Sequence, residues 1–344
     1  MKTYKHGFAL GKFMPLHKGH EAMIRFGAAQ CETFTVMVCA LPTEPIAGER
    51  RLAWMKEAFP NLNIVYLADP AIPQEPAEHP QFWDLWQEAV GRLVPEPIDM
   101  VTASEPYGWR LAKELNATFV PFDIDRKLFP TSGTAVRNNP YQEWQYLAAA
   151  VKKDWVKRVA ILGPESVGKT TLAAQLAKHF DTVAALEYAR PLFDEMVRAG
   201  ERKPSEFRYE DLSVVAKGQY ALENTLAIDA KKVLFTDTDV ITTVTWSQYL
   251  YGKHEDWMND LAKEGKYDLT IVLHPEDNEY VQDEQRVMTE QEVRMQFLKQ
   301  LTNNLESIGR EYVIVRGGHA ERLEQVITMV EQLLAEEQFP THLT

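Results

Sequence analysis

Two cysteines in 344 residues, Cys31 and Cys39, are too few for a disulfide framework, and no metal-ligand spacing connects them. Both sit in or beside apolar stretches, which reads as two buried free thiols in a reducing compartment. Long apolar runs are missing too. None approaches the roughly 18 residues that a membrane span needs, and Met1 to His6 lead straight into a core-like strand without a signal-peptide pattern. A cytoplasmic protein with no membrane partner is therefore expected. Basic residues are in deficit: 37 Lys and Arg stand against 50 Asp and Glu, a formal net charge of -13. That balance excludes the broad basic face on which non-specific nucleic-acid binding depends, so no nucleic-acid partner is expected. It leaves room for a nucleotide substrate, which needs only a few local cations. The chain also lacks Gly/Ser tracts, low-complexity segments and internal repeats.

What is present is an ordinary globular composition, 45% hydrophobic and 25% charged, in a chain longer than one core usually supports. Apolar runs at residues 8–10, 34–39, 64–66, 100–102 and 118–122 alternate with helical patterns such as 20–30, 50–58 and 109–115. A second series of runs follows at 159–162, 183–185, 232–236, 269–273 and 312–315. This order predicts an α/β chain of two domains, each a parallel sheet wound with helices. The boundary falls near residue 154, giving domains 1–154 and 155–344, joined by a helical connector over 138–154. Between residues 69 and 80 lie several prolines and acids, followed by an aromatic cluster containing Trp83 and Trp86. A surface loop leading into an amphipathic helix explains it. A substrate loop whose Trp83 or Trp86 stacks on a flat ring explains it as well.

Two stretches carry recognisable chemistry. The first, GKFMPLHKGH, runs from Gly11 to His20 directly after the first apolar run. That places it at the carboxyl end of the first strand, where open α/β sheets bind ligands. Gly11 allows close backbone approach, Pro15 stiffens the turn, and Gly19 and His20 open a helix whose free N–H groups favour an anion. His17 and His20 can donate to phosphate oxygens, and Lys12 can reach one. Alternatively, His20 caps the helix and His17 lies on the surface. Ser104-Glu105-Pro106-Tyr107-Gly108 follows the strand at 100–102 and either lines a nucleotide pocket through Tyr107 and Gly108 or makes a tight turn. Asp125 and Arg126 read as an ion pair, and Arg50 and Arg51, which open a helix, as a solvated face or, for one of them, a phosphate contact.

The pattern G-x-F-x-P-x-H-x-G-H, which includes Phe13, resembles the signature of the nucleotidyltransferase superfamily. Those enzymes carry a second signature close to I-S-x-T-x-x-R. Thr131-Ser132-Gly133-Thr134-Ala135-Val136-Arg137 matches it, with Thr131 where isoleucine is usual. The resemblance implies a Rossmann-like nucleotidyltransferase sheet. Ser132 and Thr134 would offer hydroxyls and N–H groups, and Arg137 a permanent charge for the β- and γ-phosphates.

The second stretch, from Gly163 to Thr170, reads G-x-x-x-x-G-K-T between a strand and a helix, the context a P-loop requires. Backbone N–H groups from Gly163, Ser166, Gly168, Thr170 and Thr171 would cradle the β-phosphate. Lys169 would reach the β/γ oxygens and Thr170 would bind Mg²⁺. Asp237 and Asp239 stand at the end of the apolar run 232–236. Asp237 is placed to hold Mg²⁺ through water. Asp239 could meet the acceptor or act as base, although a surface turn would place two acids there as well. Glu187, Tyr188 and Arg190 follow the run 183–185, whose end faces the acceptor in P-loop kinases of small nucleosides. On that likeness Glu187 would orient a hydroxyl or take its proton, Tyr188 would contact substrate and Arg190 would bind phosphate. Arg286 lies where a lid would place an arginine over the transferring phosphate.

Together the two halves resemble the NadR-type bifunctional proteins of bacteria and phages, over about residues 6–335. Phe129-Pro130, Asn138-Asn139-Pro140, Glu187-Tyr188-Ala189-Arg190 and Asp237-Thr238-Asp239 add to the likeness. The resemblance implies a nicotinamide mononucleotide adenylyltransferase followed by a P-loop ribosylnicotinamide kinase, with ATP and Mg²⁺ used in both steps and NAD as product. Longer members begin with a helix-turn-helix repressor domain; none is expected here, nor repression by that route. The family lid reads close to W-V-x-D-G-x-R, whereas this chain has Glu284 in place of the glycine. The same pair of reactions on another acceptor, or a nucleotide sensor with a silent kinase domain, stay as alternatives. A homo-oligomer is compatible with the composition.

Overall fold

A computed structural model describes residues 2–203, 206–277, 288 and 290–335. The chain divides into two compact units, the first ending at Trp155 and the second beginning at Val156.

The first unit holds five strands: Tyr4–Gly11 (β1), Cys31–Cys39 (β2), Asn63–Leu67 (β3), Met100–Ala103 (β4) and Thr118–Pro121 (β5). They form one sheet in the order β3-β2-β1-β4-β5, and every neighbouring pair is parallel. A parallel sheet needs cover on both faces, and its inner strands are accordingly continuous apolar runs. Phe34 to Cys39 are all buried. On one face Phe8, Met37 and Val101 pack against Phe82, Trp86, Ala89 and Val90 of the helix Phe82–Leu93. The strand order reverses between β1 and β4, so the crevice at their carboxyl ends is the position at which such sheets bind ligands.

The second unit has strands Lys157–Leu162 (β6), Ala184–Ala185 (β7), Val233–Asp237 (β8), Leu269–Leu273 (β9) and Val313–Val315 (β10). Their order is β10-β9-β6-β8-β7, again parallel throughout. The alternation of side chains along β6 builds two core layers. Val159 and Ile161 join Leu172, Leu176, Val326 and Val330 on one face. Ala160 and Leu162 join Ile241, Val244, Leu301 and Leu305 on the other. Ile161 pairs with Asp237, which sets that acid beside the start of the loop after β6.

Local chemistry shifts some sequence expectations. The first helix spans Lys18–Ala28 because His17, not His20, is its cap: the His17 Nδ1 accepts from the His20 N–H. The connector is broken into a helix Gly133–Asn138, a 3₁₀ turn Trp144–Tyr146 and a helix Ala149–Trp155, since Pro140 cannot continue a helix. No helix among the described residues is long and apolar enough to cross a membrane.

Candidate active sites

In the first unit, β1 delivers the chain into a cleft of about 670 Å³, within the range of small-molecule sites. Its lining includes Gly11, Lys12, Phe13, His17, Gly19, His20, Trp83, Tyr107, Ser132, Thr134 and Arg137. The two signatures, more than a hundred residues apart in sequence, thus meet in one cavity. The imidazoles of His17 and His20 stack with centroids 3.6 Å apart. Gly19 makes room for this: a Cβ there would lie 3.1 Å from the His17 ring. Phe13 is buried in a left-handed conformation (φ 46°) and meets His20 edge-on. It therefore supports the pair from below. Burial pushes His17 down to about 4, with help from the Arg126 charge, and drives His20 well below its ordinary value, with help from His17 and Arg126. Both rings are neutral at pH 7 in the absence of an anion. In that form each still carries one N–H donor.

The cations in and beneath this cleft are held by Glu44 and by the backbone that shapes it. Lys12 Nζ pairs with Glu44 Oε1 at 2.8 Å. Arg51 is fully buried, contrary to the solvated face expected from sequence. Its Nη1 donates to the carbonyls of Lys12 (2.8 Å) and Cys39 (3.1 Å), and its Nη2 to Glu44 at 2.5 Å. Arg137 donates to the carbonyl of Met14 at 2.5 Å and to Thr134 at 2.9 Å. Ser132 caps the helix that carries Arg137, accepting from Ala135 N–H at 3.0 Å. Thr131 explains its own departure from isoleucine: its hydroxyl donates to Glu143 at 2.8 Å.

Three further expectations for this unit change. Gly108 does not line the cleft; it packs under Phe119, and a Cβ there would lie 2.2 Å from that ring. Trp86 borders the cleft but is mostly core, its indole N–H held by the Pro73 carbonyl at 2.9 Å; Trp83 is the more open ring. Arg126 pairs with Glu105 rather than Asp125, which instead pairs with Lys127.

In the second unit the loop after β6 wraps a cavity of about 210 Å³, lined by Gly163, Ser166, Gly168, Lys169, Thr170, Thr171, Glu187 and Arg190. Gly168 at φ 89° turns the chain into the helix Lys169–His179, a conformation that costs glycine least. Arg322 is buried beneath, its guanidinium donating to the carbonyls of Val167 (2.7 Å) and His274 (2.8 Å). Lys169 Nζ donates to the Pro164 carbonyl at 2.8 Å. Phe193, Phe207, Leu212, Val215, Trp246 and Leu250 supply an apolar wall.

The acids differ in role. The Thr170 hydroxyl donates to Asp237 Oδ2. Asp237 is 1% exposed, and its Oδ1 has no hydrogen-bond partner among the described residues. Burial pushes its carboxyl upward, against the pull of Lys169. A buried carboxylate with an orphaned oxygen beside a threonine hydroxyl fits a hard divalent cation such as Mg²⁺, which would restore the ionised form. Among the described residues no cluster of three His, Cys, Asp or Glu offers a metal cage, and a Mg²⁺ shared with nucleotide phosphates needs none. Glu187 is half-buried and is likewise pushed upward, first by desolvation, which suits a proton acceptor.

Two expected acceptor contacts are structural instead. Asp239 is 1% exposed and caps the helix Val240–Tyr251, accepting from Thr242 N–H at 3.1 Å and pairing with Arg310 at 2.5 Å. Tyr188 is absent from the cavity lining; its ring lies over Gly218 and its N–H donates to Gln219 at 2.9 Å. Arg286 and Glu284 lie outside the described residues. Sequence reasoning missed Arg51 and Arg322, whose carbonyl partners are remote in the chain.

The architecture is thus that of a two-unit nucleotide-binding α/β protein. Residues 158–322 match the family model of the AAA domain. Over nearly its whole length the chain is related to NadR. It is 28% identical to the trifunctional NAD biosynthesis/regulator protein NadR of Escherichia coli (strain K12) across 96% of this chain and 84% of that protein. The same figures hold for its namesake from Salmonella typhimurium (strain LT2). The solved structure of a NadR protein in complex with NAD and AMP-PNP has a TM-score of 0.74 at 23% identity, covering 96% of this chain and 97% of that one. A NadR protein in complex with NR gives 0.75 at 23% identity, covering 98% and 99%. These structures share its fold.

Two outcomes follow from the buried groups. Replacing Arg322 by Leu removes two hydrogen bonds from a charged donor to buried backbone carbonyls, each worth about 1.5–3 kcal/mol. Chemical denaturation should show that loss, and nucleotide binding in the second unit should weaken with it. The folded state holds His17 and His20 neutral, so the unfolded chain takes up protons first as pH falls. Stability should therefore decline as pH falls from 6.5 toward 4. Urea midpoints across that window should show a smaller decline for His17→Gln than for the native chain.

Proposed function

We propose that the chain makes NAD in two steps. The second unit phosphorylates nicotinamide riboside: its 5′-hydroxyl attacks the γ-phosphorus of ATP, Glu187 takes the hydroxyl proton and ADP leaves. Lys169 and the loop N–H groups hold the phosphates, Arg190 faces the acceptor, and the apolar wall takes the base. Thr170 and Asp237 would hold Mg²⁺, which screens the phosphate charge when bound. In the first unit an oxygen of the mononucleotide phosphate attacks the α-phosphorus of a second ATP, and pyrophosphate leaves. His17 and His20 donate to the α-phosphate as its charge redistributes, and Lys12 and Arg137 hold the leaving pyrophosphate. No covalent intermediate is required. Trp83, which lines the same cleft, would stack on the flat ring of the acceptor or of adenine. The observation that carries this reading is the meeting of both transferase signatures around the stacked histidines in one cleft.

Two variants separate the steps. His20→Ala should lower NAD formation from the mononucleotide by roughly 100-fold or more while riboside phosphorylation continues. Lys169→Ala should do the reverse. Assays of both half-reactions on folded variants decide this, and a single variant that abolished both would refute two independent sites.

A further inference from the structure

A triphosphate cleft needs positive charge, and the two cations named by the transferase signatures are both engaged, Lys12 by Glu44 and Arg137 by Met14 and Thr134. A third cation, Arg126, lines the same cleft as the histidine pair. It stands in a loop that is already rigid without its side chain. The Asp123 carboxylate accepts from the N–H groups of Lys127 (2.8 Å), Leu128 (3.0 Å) and Phe129 (2.9 Å), and the Asp123 carbonyl accepts from Arg126 N–H at 2.8 Å. Within that loop Arg126 takes a left-handed backbone (φ 54°), a strained choice for a long side chain.

The guanidinium has only weak anchors. It is 42% exposed and pairs with Glu105, itself 57% exposed, at 3.2 Å. Its other contact, to the Thr131 carbonyl, is 3.5 Å long. Exposed ion pairs of this kind contribute little, whereas a guanidinium can grip phosphate in a fork of two hydrogen bonds. Its field reaches both His17 and His20.

We propose that Arg126 is a phosphate-binding residue of the transferase cleft, resting on Glu105 in the free protein and transferring to the phosphate group beside the histidine pair when nucleotide binds. This rests on the adenylyl-transfer reading above. The shared chemistry is a phosphate oxygen, which either ATP or the mononucleotide acceptor can bring.

The test is equilibrium titration of the full chain with ATP and, separately, with nicotinamide mononucleotide. The proteins are wild type, Arg126→Ala, Arg126→Lys and Glu105→Gln. Arg126→Ala should weaken one or both ligands by about tenfold or more, and Arg126→Lys should recover part of the loss. Glu105→Gln, which frees the guanidinium, should bind the affected ligand at least as tightly as wild type. The ligand affected identifies the phosphate that Arg126 meets. ATP binding in the second unit serves as the internal control. Unchanged affinities in Arg126→Ala would overturn the proposal. Equal weakening by Arg126→Ala and Glu105→Gln would do so too, because a purely structural pair behaves that way. If the wild type bound both ligands but formed no dinucleotide, the proposed reaction would fail while the comparison still decided the role of Arg126.

Discussion

Two buried arginines brace the loops that follow β1 and β6. Arg51 and Arg322 are 0% and 1% exposed, and each guanidinium donates to two backbone carbonyls, Arg51 holding the Glu44 carboxylate as well. One carbonyl belongs to the loop itself, Lys12 in the first unit and Val167 in the second. The other lies at the end of a neighbouring strand, Cys39 of β2 or His274 just after β9. A loop that offers its N–H groups to an anion must point some carbonyls the other way, into the protein. Buried carbonyls need partners. An arginine beneath the loop satisfies two at once and fixes the loop to the sheet. In both units the candidate anion loop thus rests on a buried cation that does not line the cavity.

Above that shared foundation the electrostatics diverge. The first cleft relies on side chains: two stacked imidazoles, neutral through burial, with cations held at its rim by Glu44 and Glu105. Neutral donors of this kind would suit a centre whose charge moves during the proposed reaction. The second cavity relies on the loop backbone and on acids. Asp237 and Glu187 are both pushed toward protonation by burial and pulled back by Lys169. A divalent cation held by Asp237 would settle its balance in favour of the charged form.

Much of this was legible in the sequence because it is local. Inner strands are buried, continuous apolar runs, and the partly exposed edge strands β3, β5 and β10 still carry apolar residues. Each strand among the described residues therefore overlaps an expected run, and β9 spans 269–273 as its composition indicates. The two loop signatures are contiguous and sit where the chain enters a helix. What was not legible depends on distant partners. Arg51 lies 39 residues from Lys12, and Arg322 lies 155 from Val167. From sequence, Arg51 reads as a solvated face. Asp239 shares a short motif with Asp237 yet turns away, drawn by Arg310 71 residues on and by the start of its own helix. Gly108 looked like a nucleotide contact until Phe119 filled the space its missing Cβ leaves. Arg126 found Glu105 rather than the adjacent Asp125 because the loop around Asp123 turns it into the cleft.

The most direct measurement is of products. The purified chain is incubated with ATP, Mg²⁺ and nicotinamide riboside, and in parallel with ATP, Mg²⁺ and nicotinamide mononucleotide, with chromatographic separation of the nucleotides. Two working sites give NAD in both reactions, with the mononucleotide passing through as an intermediate in the first. NAD in neither reaction, from folded protein that binds ATP, would contradict the two-step account.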